Sequence, residues 1–419
     1  MADQETYVAE LLRRAREAAA SLAVASTAKK DAALLRAAEG FLAAGDRIMT
    51  ANGEDIAAVE AAGLSPAMID RLRLNDKRIQ EMAEGLRTVA SLRDPVGEVI
   101  GGWTRPNGLR IEKVRVPLGV ILMIYEARPN VTADAAALCL KSGNAVILRG
   151  GKEALRTNLA IHAVLDEALR SAELDRYCAQ VVDTPDRETL NLLLQAEGKI
   201  DLVIPRGGEG LIRTVTEKSR VPVIKHYKGV CHTFVDASAD LGMAEKVCLN
   251  AKMQRHAVCN AMETLLVHSA IAHRFLPRIA SELTSAGCEL RGDDRCRAIV
   301  PGMKTATEED WYTEYNDAIL SIRVVESLDE AIRHIAKYGS QHSDAILTRD
   351  LANAREFAAR VDSSAVFVNT STRFNDGGQF GMGAEIGIST DKLHARGPMA
   401  LPELTSYKYV VYGDGQVRE

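Results

Sequence analysis

From about residue 107 onwards, strand-like and helix-like patterns alternate, and this alternation constrains the fold more than any other feature of the chain. Strand-length apolar runs are separated by longer stretches with apolar residues at helical spacing. The order is LRIEKVRV, VILMIY, NAVILR (144–149), a helix at 154–172, AQVVD (179–183), a helix at 186–196, IDLVIPR (200–206), a helix at 209–218 and VPVIKH (221–226). Repeated strand–helix units build a parallel sheet with helices on its faces, so the sequence predicts an α/β fold.

The remainder of the chain consists of a helical segment and a second α/β block. The first ninety or so residues show only helical spacing, whereas residues 260–370 alternate again, from METLLVHSAI to AVFVN. The length of 419 residues suggests two or three domains. We therefore predict that each of the two alternating blocks forms an α/β domain of its own.

Composition and charge exclude several classes of protein. Acidic and basic residues are interspersed and leave a net charge of −5, which provides no basic surface for nucleic acid. The start, MADQETYVAELLRR, does not resemble a signal peptide, and no apolar run approaches the roughly 18 residues of a membrane span. The seven cysteines are odd in number and have no CxxC spacing, which favours a reducing compartment. We expect a soluble cytoplasmic protein that binds neither nucleic acid nor membrane.

Two glycine-rich loops follow predicted strands of the first block. They read Arg149-Gly150-Gly151-Lys152 and Pro205-Arg206-Gly207-Gly208. Glycine lets backbone amides approach an anion, and the neighbouring arginine adds a fixed positive charge, so both loops are candidate phosphate sites. The dinucleotide motif GxGxxG is absent after these strands, and a role as simple turns explains the same residues.

Cys259 is the best candidate for a nucleophile. It lies between the two α/β blocks, and Lys252, Arg255 and His256 precede it. Cations near a thiol lower its pKa and raise the fraction of reactive thiolate. The alternative is a buried structural cysteine. The other six cysteines lack such neighbours and are interpreted as small core residues.

Several long motifs resemble a known family. The run VPLGVILMIYEARPNVT, followed by NAVILRGGKEA, is similar to the aldehyde dehydrogenase superfamily. The segment from Val325 to Ile346, NTSTRFNDGGQFGMGAEIGIST and KLHARGPM resemble the gamma-glutamyl phosphate reductase family within it. The resemblance covers nearly the whole chain.

This resemblance implies an activity. Members of the family reduce gamma-glutamyl phosphate to glutamate 5-semialdehyde with NADPH and release phosphate, in the second step of proline biosynthesis from glutamate. Cys259 would attack the acyl carbon and form a thioester, and Asn130 would stabilise the oxyanion. Three function hypotheses stay open: acyl-phosphate reduction, hydrolytic aldehyde oxidation, and a binding protein without catalysis.

The loop chemistry, the resemblance and the charges of the implied substrate together indicate binding residues. Those expected to bind the cofactor are Arg149, Gly150, Gly151, Lys152, Pro205, Arg206, Gly207, Gly208 and Glu314. Those expected to bind the substrate are Arg128, Arg255, His256, Asn369, Thr370 and Ser371. His256 pairing with the thiolate or the phosphate, and His256 as a packing residue, are both open interpretations.

One departure from the wider superfamily concerns the hydrolytic base. Hydrolytic members carry a glutamate that activates water, and the corresponding stretch here, from His226 to His232, contains no carboxylate. An enzyme that must protect a thioester from water has good reason to lack that base. His226 and His232 each have two open interpretations: contact with the cofactor or substrate, or a structural role.

The resemblance finally predicts the domain organisation. Residues 1–255 would form a nicotinamide-cofactor domain, 256–375 a catalytic domain, and 376–419 would return to the first. Residues 104–116 and the terminal LTSYKYVVYG run would form a small β flap that builds a homodimer or homotetramer, because exposed strand edges invite pairing. Glutamate 5-kinase is a candidate partner. The spacing of His334 and His342 fits no metal site, and we predict none.

Overall fold

The computed structural model describes residues 2–418, so Met1 and Glu419, which end two of the predicted domain ranges, lie outside the described residues. The chain divides into two compact units. The first contains residues 2–225, Gly381–Gly387 and 399–418, and the second contains His226–Phe380 and Ile388–Pro398. The division after Lys225 comes earlier than the predicted boundary at 255/256, because the next strand pairs within the second sheet.

Five helices open the first unit. They are α1 (Ala2–Leu22), α2 (Thr27–Ala43), α3 (Gly45–Ala61), α4 (Pro66–Leu72) and α5 (Asp76–Ser91). Side-chain oxygens of Ser26, Ser65 and Asn75 accept hydrogen bonds from first-turn amides and so mark three of the helix starts. The prediction that this segment is helical is confirmed.

A four-stranded parallel sheet forms the centre of the first unit. After α5 the chain forms, in order, β1 (Val99–Thr104), β2 (Arg110–Pro117), β3 (Val120–Tyr125), α6 (Asn130–Lys141), β4 (Ala145–Gly150), α7 (Leu155–Ser171), β5 (Ala179–Val181), α8 (Arg187–Leu194), β6 (Leu202–Arg206) and α9 (Glu209–Lys218). The strand order is β5-β4-β3-β6, and every residue of β3 is buried. The strand predicted at 221–226 is wrong: only Val223 bridges to Val203, and Pro222 has no N–H to extend the ladder.

A seven-stranded parallel sheet forms the second unit. Its elements are β7 (Cys231–Val235), α10 (Leu241–Met253), β8 (Met262–His268), α11 (Ser269–Ser285), β9 (Glu289–Gly292), α12 (Asp294–Ile299), β10 (Lys304–Thr305), β11 (Ile319–Val325), α13 (Leu328–Tyr338), β12 (Ser343–Leu347), α14 (Leu351–Arg360) and β13 (Ala365–Val368). The strand order is β10-β9-β11-β8-β7-β12-β13. The second α/β block is therefore confirmed, but β7, which lies between β8 and β12, was not predicted.

Three strands complete the chain: β14 (Gly387–Ser389), β15 (Gly397–Met399) and β16 (Thr405–Tyr412). β14 pairs with β15, while β16 pairs antiparallel with β2, which in turn pairs with β1. Short 3-10 turns occur at Lys152–Ala154, Arg176–Cys178, Glu309–Tyr312, Thr372–Phe374 and Pro402–Leu404. The expected association of residues 104–116 with the terminal strand is present, since β2 pairs with β16. None of the helices described for residues 2–418 is both long and apolar enough to cross a membrane.

Candidate active site

Cys259 differs from the other cysteines in its surroundings. It lies half-buried in the turn between α10 and β8, whereas the other six cysteines are buried. Burial raises the pKa of each of those six thiols and keeps them in the unreactive protonated form. Cys259 is therefore the cysteine with the exposure that a nucleophile needs.

Close backbone contacts hold the Cys259 turn in place. A Cβ atom added to Gly229 would lie 1.9 Å from the carbonyl oxygen of Cys259, so only glycine fits there. The Cys231 thiol donates a hydrogen bond to the same oxygen at 3.2 Å. The segment that leads into β7 thus lies directly against the turn that carries the nucleophile candidate.

Two histidines meet Cys259. One nitrogen of His226, one nitrogen of His342 and the Cys259 Sγ lie within 4.8 Å of one another, and the two imidazole rings have centroids 5.2 Å apart. His226 comes shortly before β7, Cys259 before β8 and His342 directly before β12. These three strands are parallel neighbours, so their amino ends meet at one edge of the sheet.

The histidines control the charge of the thiol. Burial by itself would raise the pKa of Cys259, but the positive charges and hydrogen bonds of His342 and His226 outweigh it and hold the pKa well below the usual value. Lys252, Arg255 and His256, the cationic residues that precede Cys259 in the sequence, are placed differently from the two histidines. Lys252 is buried and pairs with Glu263 at 2.6 Å, and His256 lies outside the cluster of three.

Glu314 and Arg373 are further charged side chains at this edge. Burial raises the pKa of Glu314, the charge of the Cys259 thiolate raises it further, and a hydrogen bond from the Gly229 amide acts in the opposite direction. Burial also lowers the pKa of Arg373, and the charge of the exposed Arg255 adds to that effect. Arg373 was missed in the sequence, although it belongs to the NTSTRF motif quoted for its neighbours.

Two residues of the expected substrate loop make structural hydrogen bonds. The Asn369 carboxamide accepts from the Thr348 amide at 2.8 Å and donates to the Thr348 carbonyl at 2.9 Å. Ser371 is buried, and its hydroxyl accepts from the Arg373 amide at 3.3 Å. Thr370 between them is half-buried. The side chains at 369 and 371 therefore shape the loop that carries Arg373.

Asn130 begins α6 in the first unit. Its side-chain nitrogen donates a hydrogen bond to Asp134 Oδ2 at 2.9 Å, one helical turn later, which leaves the second N–H of the carboxamide available. Burial raises the pKa of Asp134 to about 6, against the opposing effects of this hydrogen bond and of the Arg206 charge. Arg128, two residues before Asn130, is exposed.

The two glycine-rich loops lie at the carboxyl ends of β4 and β6, as predicted for this sheet. Arg149 is half-buried and donates to the carbonyls of Gly150 at 2.6 Å and Pro185 at 3.0 Å, while its Nε is buried without a partner. Lys152 is exposed and Pro205 is buried.

Acidic side chains lie against the amides of these loops. A Cβ atom on Gly151 would lie 1.9 Å from Glu153 Oε1, and one on Gly207 would lie 2.4 Å from Glu126 Oε2. The Gly208 amide, at the start of α9, donates to the Glu126 carboxylate at 2.9 Å. This amide therefore points at a negatively charged group, in keeping with the chemistry of helix N-termini.

Comparison with known proteins identifies relatives over the whole length. A family model described as "Aldehyde dehydrogenase family" matches residues 1–297. Gamma-glutamyl phosphate reductase of Moorella thermoacetica is 57% identical over 97% of each chain, and that of Carboxydothermus hydrogenoformans is 57% identical over 98% of this chain and 99% of the relative.

Solved structures agree. The crystal structure of gamma-glutamyl phosphate reductase from Thermotoga maritima matches with a TM-score of 0.97 and 49% identity over 98% of this chain and 100% of the other. An engineered glycolyl-CoA reductase with bound NADP+ matches with a TM-score of 0.69 at 15% identity, which shows a shared fold alone. The chain therefore belongs to the aldehyde dehydrogenase family and, within it, to the gamma-glutamyl phosphate reductases.

Proposed function

We propose that the enzyme reduces gamma-glutamyl phosphate to glutamate 5-semialdehyde, with NADPH as reductant and release of phosphate, in the second step of proline biosynthesis. The observation that carries this proposal is the 57% identity to gamma-glutamyl phosphate reductases over 97% of the chain. The half-buried Cys259 beside two histidines supports the chemistry that this reaction needs.

The first half of the reaction is acyl transfer to sulfur. The Cys259 thiolate attacks the acyl carbon, a C–S bond forms, the bond from carbon to the phosphate oxygen breaks, and a thioester remains. By the family pattern, the free N–H of Asn130 stabilises the oxyanion. Loss of one such donor typically costs on the order of 100-fold in rate. Asp134 holds the other N–H of this carboxamide.

The fold and the loops of the first unit fit a nicotinamide dinucleotide. The Gly208 amide already donates to a carboxylate, so it suits a phosphate oxygen, and the buried Nε of Arg149 has no protein partner. The proposed cofactor contacts are Arg149, Gly150, Gly151, Lys152, Pro205, Arg206, Gly207, Gly208 and Glu314. When bound, the cofactor supplies the hydride that reduces the thioester. Arg149 and Lys152 are cationic and favour the 2′-phosphate of NADPH.

The substrate carries a carboxylate and a phosphate, which call for cationic donors. We propose Arg128, Arg255 and His256 as contacts, and we add Arg373 because its partly desolvated guanidinium faces the charge of Cys259. Asn369, Thr370 and Ser371 act by shaping the loop before Arg373, through the bonds that Asn369 and Ser371 make.

The reverse reaction tests the function. The enzyme is incubated with glutamate 5-semialdehyde and NADP+, and NADPH is followed by absorbance, with and without phosphate. We expect NADPH only when phosphate is present, and no activity in Cys259→Ala. The matched variant Cys288→Ala changes a buried thiol outside the site and should retain most activity. Aldehyde oxidation without phosphate would instead support a hydrolytic dehydrogenase.

We also propose that the enzyme is a homodimer or homotetramer built through the sheet of β1, β2 and β16. Apolar and aromatic side chains of this sheet are exposed, among them Trp103, Tyr407, Tyr409 and Val411. Such a surface on an open strand edge favours pairing with a second copy.

The seven free cysteines support a reducing location such as the cytoplasm. We also propose that glutamate 5-kinase is a partner that passes the labile acyl phosphate to this enzyme.

A further inference from the structure

We propose that His226 is the base that takes the proton from the Cys259 thiol, and that this proton leaves with the phosphate. The inference rests on the proposed function, in which Cys259 attacks an acyl phosphate. The observations that carry it are the position of the two imidazoles beside the sulfur and the hydrogen bonds on the far side of each ring.

The hydrogen bond between His226 and the Ile388 carbonyl determines which ring nitrogen can accept the proton of the thiol. His226 Nδ1 lies 2.8 Å from the carbonyl oxygen of Ile388. A carbonyl oxygen only accepts, so Nδ1 carries the hydrogen and donates it. In the neutral ring the lone pair is then on Nε2, which is the arrangement a general base requires.

His342 is placed differently. It is fully buried, and its Nδ1 lies 2.8 Å from the Ser343 hydroxyl, which itself accepts from the Asn375 carboxamide at 2.8 Å. The same ring nitrogen lies 3.8 Å from the Cys231 thiol. His226, in contrast, is half-buried, so a proton on it has a route to solvent and to the leaving group. We therefore assign proton transfer to His226, and to His342 the role of a positioning residue that stabilises the thiolate.

The proton balance of the reaction agrees with this assignment. The thiol transfers its proton to His226 Nε2, the C–S bond forms and the bond from carbon to the phosphate oxygen breaks. The departing phosphate would otherwise leave as a trianion, and the proton from His226 lets it leave as hydrogen phosphate. After the thioester is reduced, the sulfur leaves as thiolate and takes one proton from solvent through His226. No further co-reactant is needed.

Other ionisable groups face Cys259 and bear on its titration. They are His342 before β12, Cys231 in β7, Glu314 before β11 and Arg373 after β13. The His226 ring also acts on Glu314. A test must therefore separate the effect of His226 on the Cys259 titration from the effects of these groups. Substitution of residue 226 alone achieves this, because the other groups are unchanged.

The direct test is the pH dependence of Cys259 alkylation in the enzyme without substrate. The rate of iodoacetamide labelling at Cys259 is measured by mass spectrometry from pH 5 to 9. His226→Asn retains an N–H for the Ile388 carbonyl but cannot accept a proton. We expect the midpoint of this variant to move up by about one pH unit, so that labelling at pH values below the wild-type midpoint falls about tenfold. The exposed His273→Gln serves as the matched control and should leave the profile unchanged.

Chemical rescue distinguishes a base from a structural residue. In His226→Ala, we expect imidazole in the buffer to restore part of the rate of thioester formation, read from the release of phosphate in a single turnover. An unchanged alkylation profile in His226→Asn, or no rescue in a folded His226→Ala, would overturn the inference. If the unsubstituted enzyme formed no NADPH from glutamate 5-semialdehyde, NADP+ and phosphate, the proposed function itself would fail, and that result is distinguishable from either outcome at His226.

Discussion

At the scale of single residues, a hydrogen bond joins Asn130, the proposed oxyanion donor, to the pH-sensitive side chain of Asp134. The Asp134 carboxylate accepts from Asn130 Nδ2 at 2.9 Å and has a pKa raised to about 6 by burial. A carboxylate that accepts one amide hydrogen determines how the other is directed. Asp134 therefore positions Asn130, and its protonation weakens that control.

We predict that Asp134→Ala lowers kcat about tenfold and changes KM little, because the proposed oxyanion donor Asn130 is misdirected while the substrate contacts remain. Steady-state kinetics at pH 8 measure this change. In the unsubstituted enzyme, kcat should fall as the pH drops through about 6. The same pH dependence in Asp134→Asn would assign it to another group.

The same carboxylate affects stability with a definite sign. A pKa raised above its unfolded value means that the charged form is disfavoured in the folded state, so the cost is fully present above about pH 6 and disappears below pH 4. We expect Asp134→Asn to raise the free energy of unfolding by about 1 kcal/mol at pH 8 and to leave it unchanged at pH 3.5. Urea unfolding at both pH values measures the difference.

At the scale of elements, the active-site edge depends on the segment before β7. Gly229 in that segment passes so close to the Cys259 carbonyl that a Cβ atom has no room. The same segment contains His226 and leads into the strand that lies between β8 and β12. Displacement of this segment would therefore separate the histidine from the thiol.

We predict that Gly229→Ala abolishes rapid alkylation of Cys259 and lowers Tm by several degrees, because the turn and the segment must move apart. Gly53→Ala is the matched control: a Cβ atom there meets nothing within 4 Å in α3, and alanine should stabilise the helix by about 0.5–1 kcal/mol. Wild-type labelling kinetics in Gly229→Ala would show that the close contact is not needed.

Most elements could be predicted because their patterns are local. VILMIY, METLLVH and DAILT are strand-length apolar runs, and they form β3, β8 and β12. The failure at 221–226 has a local cause as well, since Pro222 interrupts the ladder after one bridge. The strand β7 was missed because Cys231, His232 and Thr233 are polar or weakly apolar and yet all buried.

At the scale of the whole molecule, the sheet of β1, β2 and β16 is the expected place of self-association. Tyr407, Tyr409 and Val411 alternate along β16 and are about half exposed, and the Trp103 ring lies 6.2 Å from that of Tyr409. These residues form a largely aromatic surface on an antiparallel sheet. Among the described residues, β16 is an edge strand of this sheet, with one side unpaired.

We predict that Tyr409→Lys combined with Val411→Lys shifts the enzyme toward monomer, because two cations must then be buried in the subunit contact. Light scattering at micromolar concentration measures the molar mass. Val417→Lys, also at an exposed apolar residue but beyond β16, should leave the mass unchanged. A monomeric unsubstituted enzyme would exclude this role of the sheet.

The sequence by itself determined the α/β class, the helical start, the family, and the cysteine that differs from the other six. Those features are local patterns or continuous motifs, which are encoded between chain neighbours. Only the tertiary structure decided which side chains meet Cys259. His226 and His342 reach it because β7, β8 and β12 are parallel neighbours whose amino ends share one edge, whereas Lys252, close in sequence, is paired with Glu263. Strand order, which no local pattern encodes, sets the chemistry of the thiol.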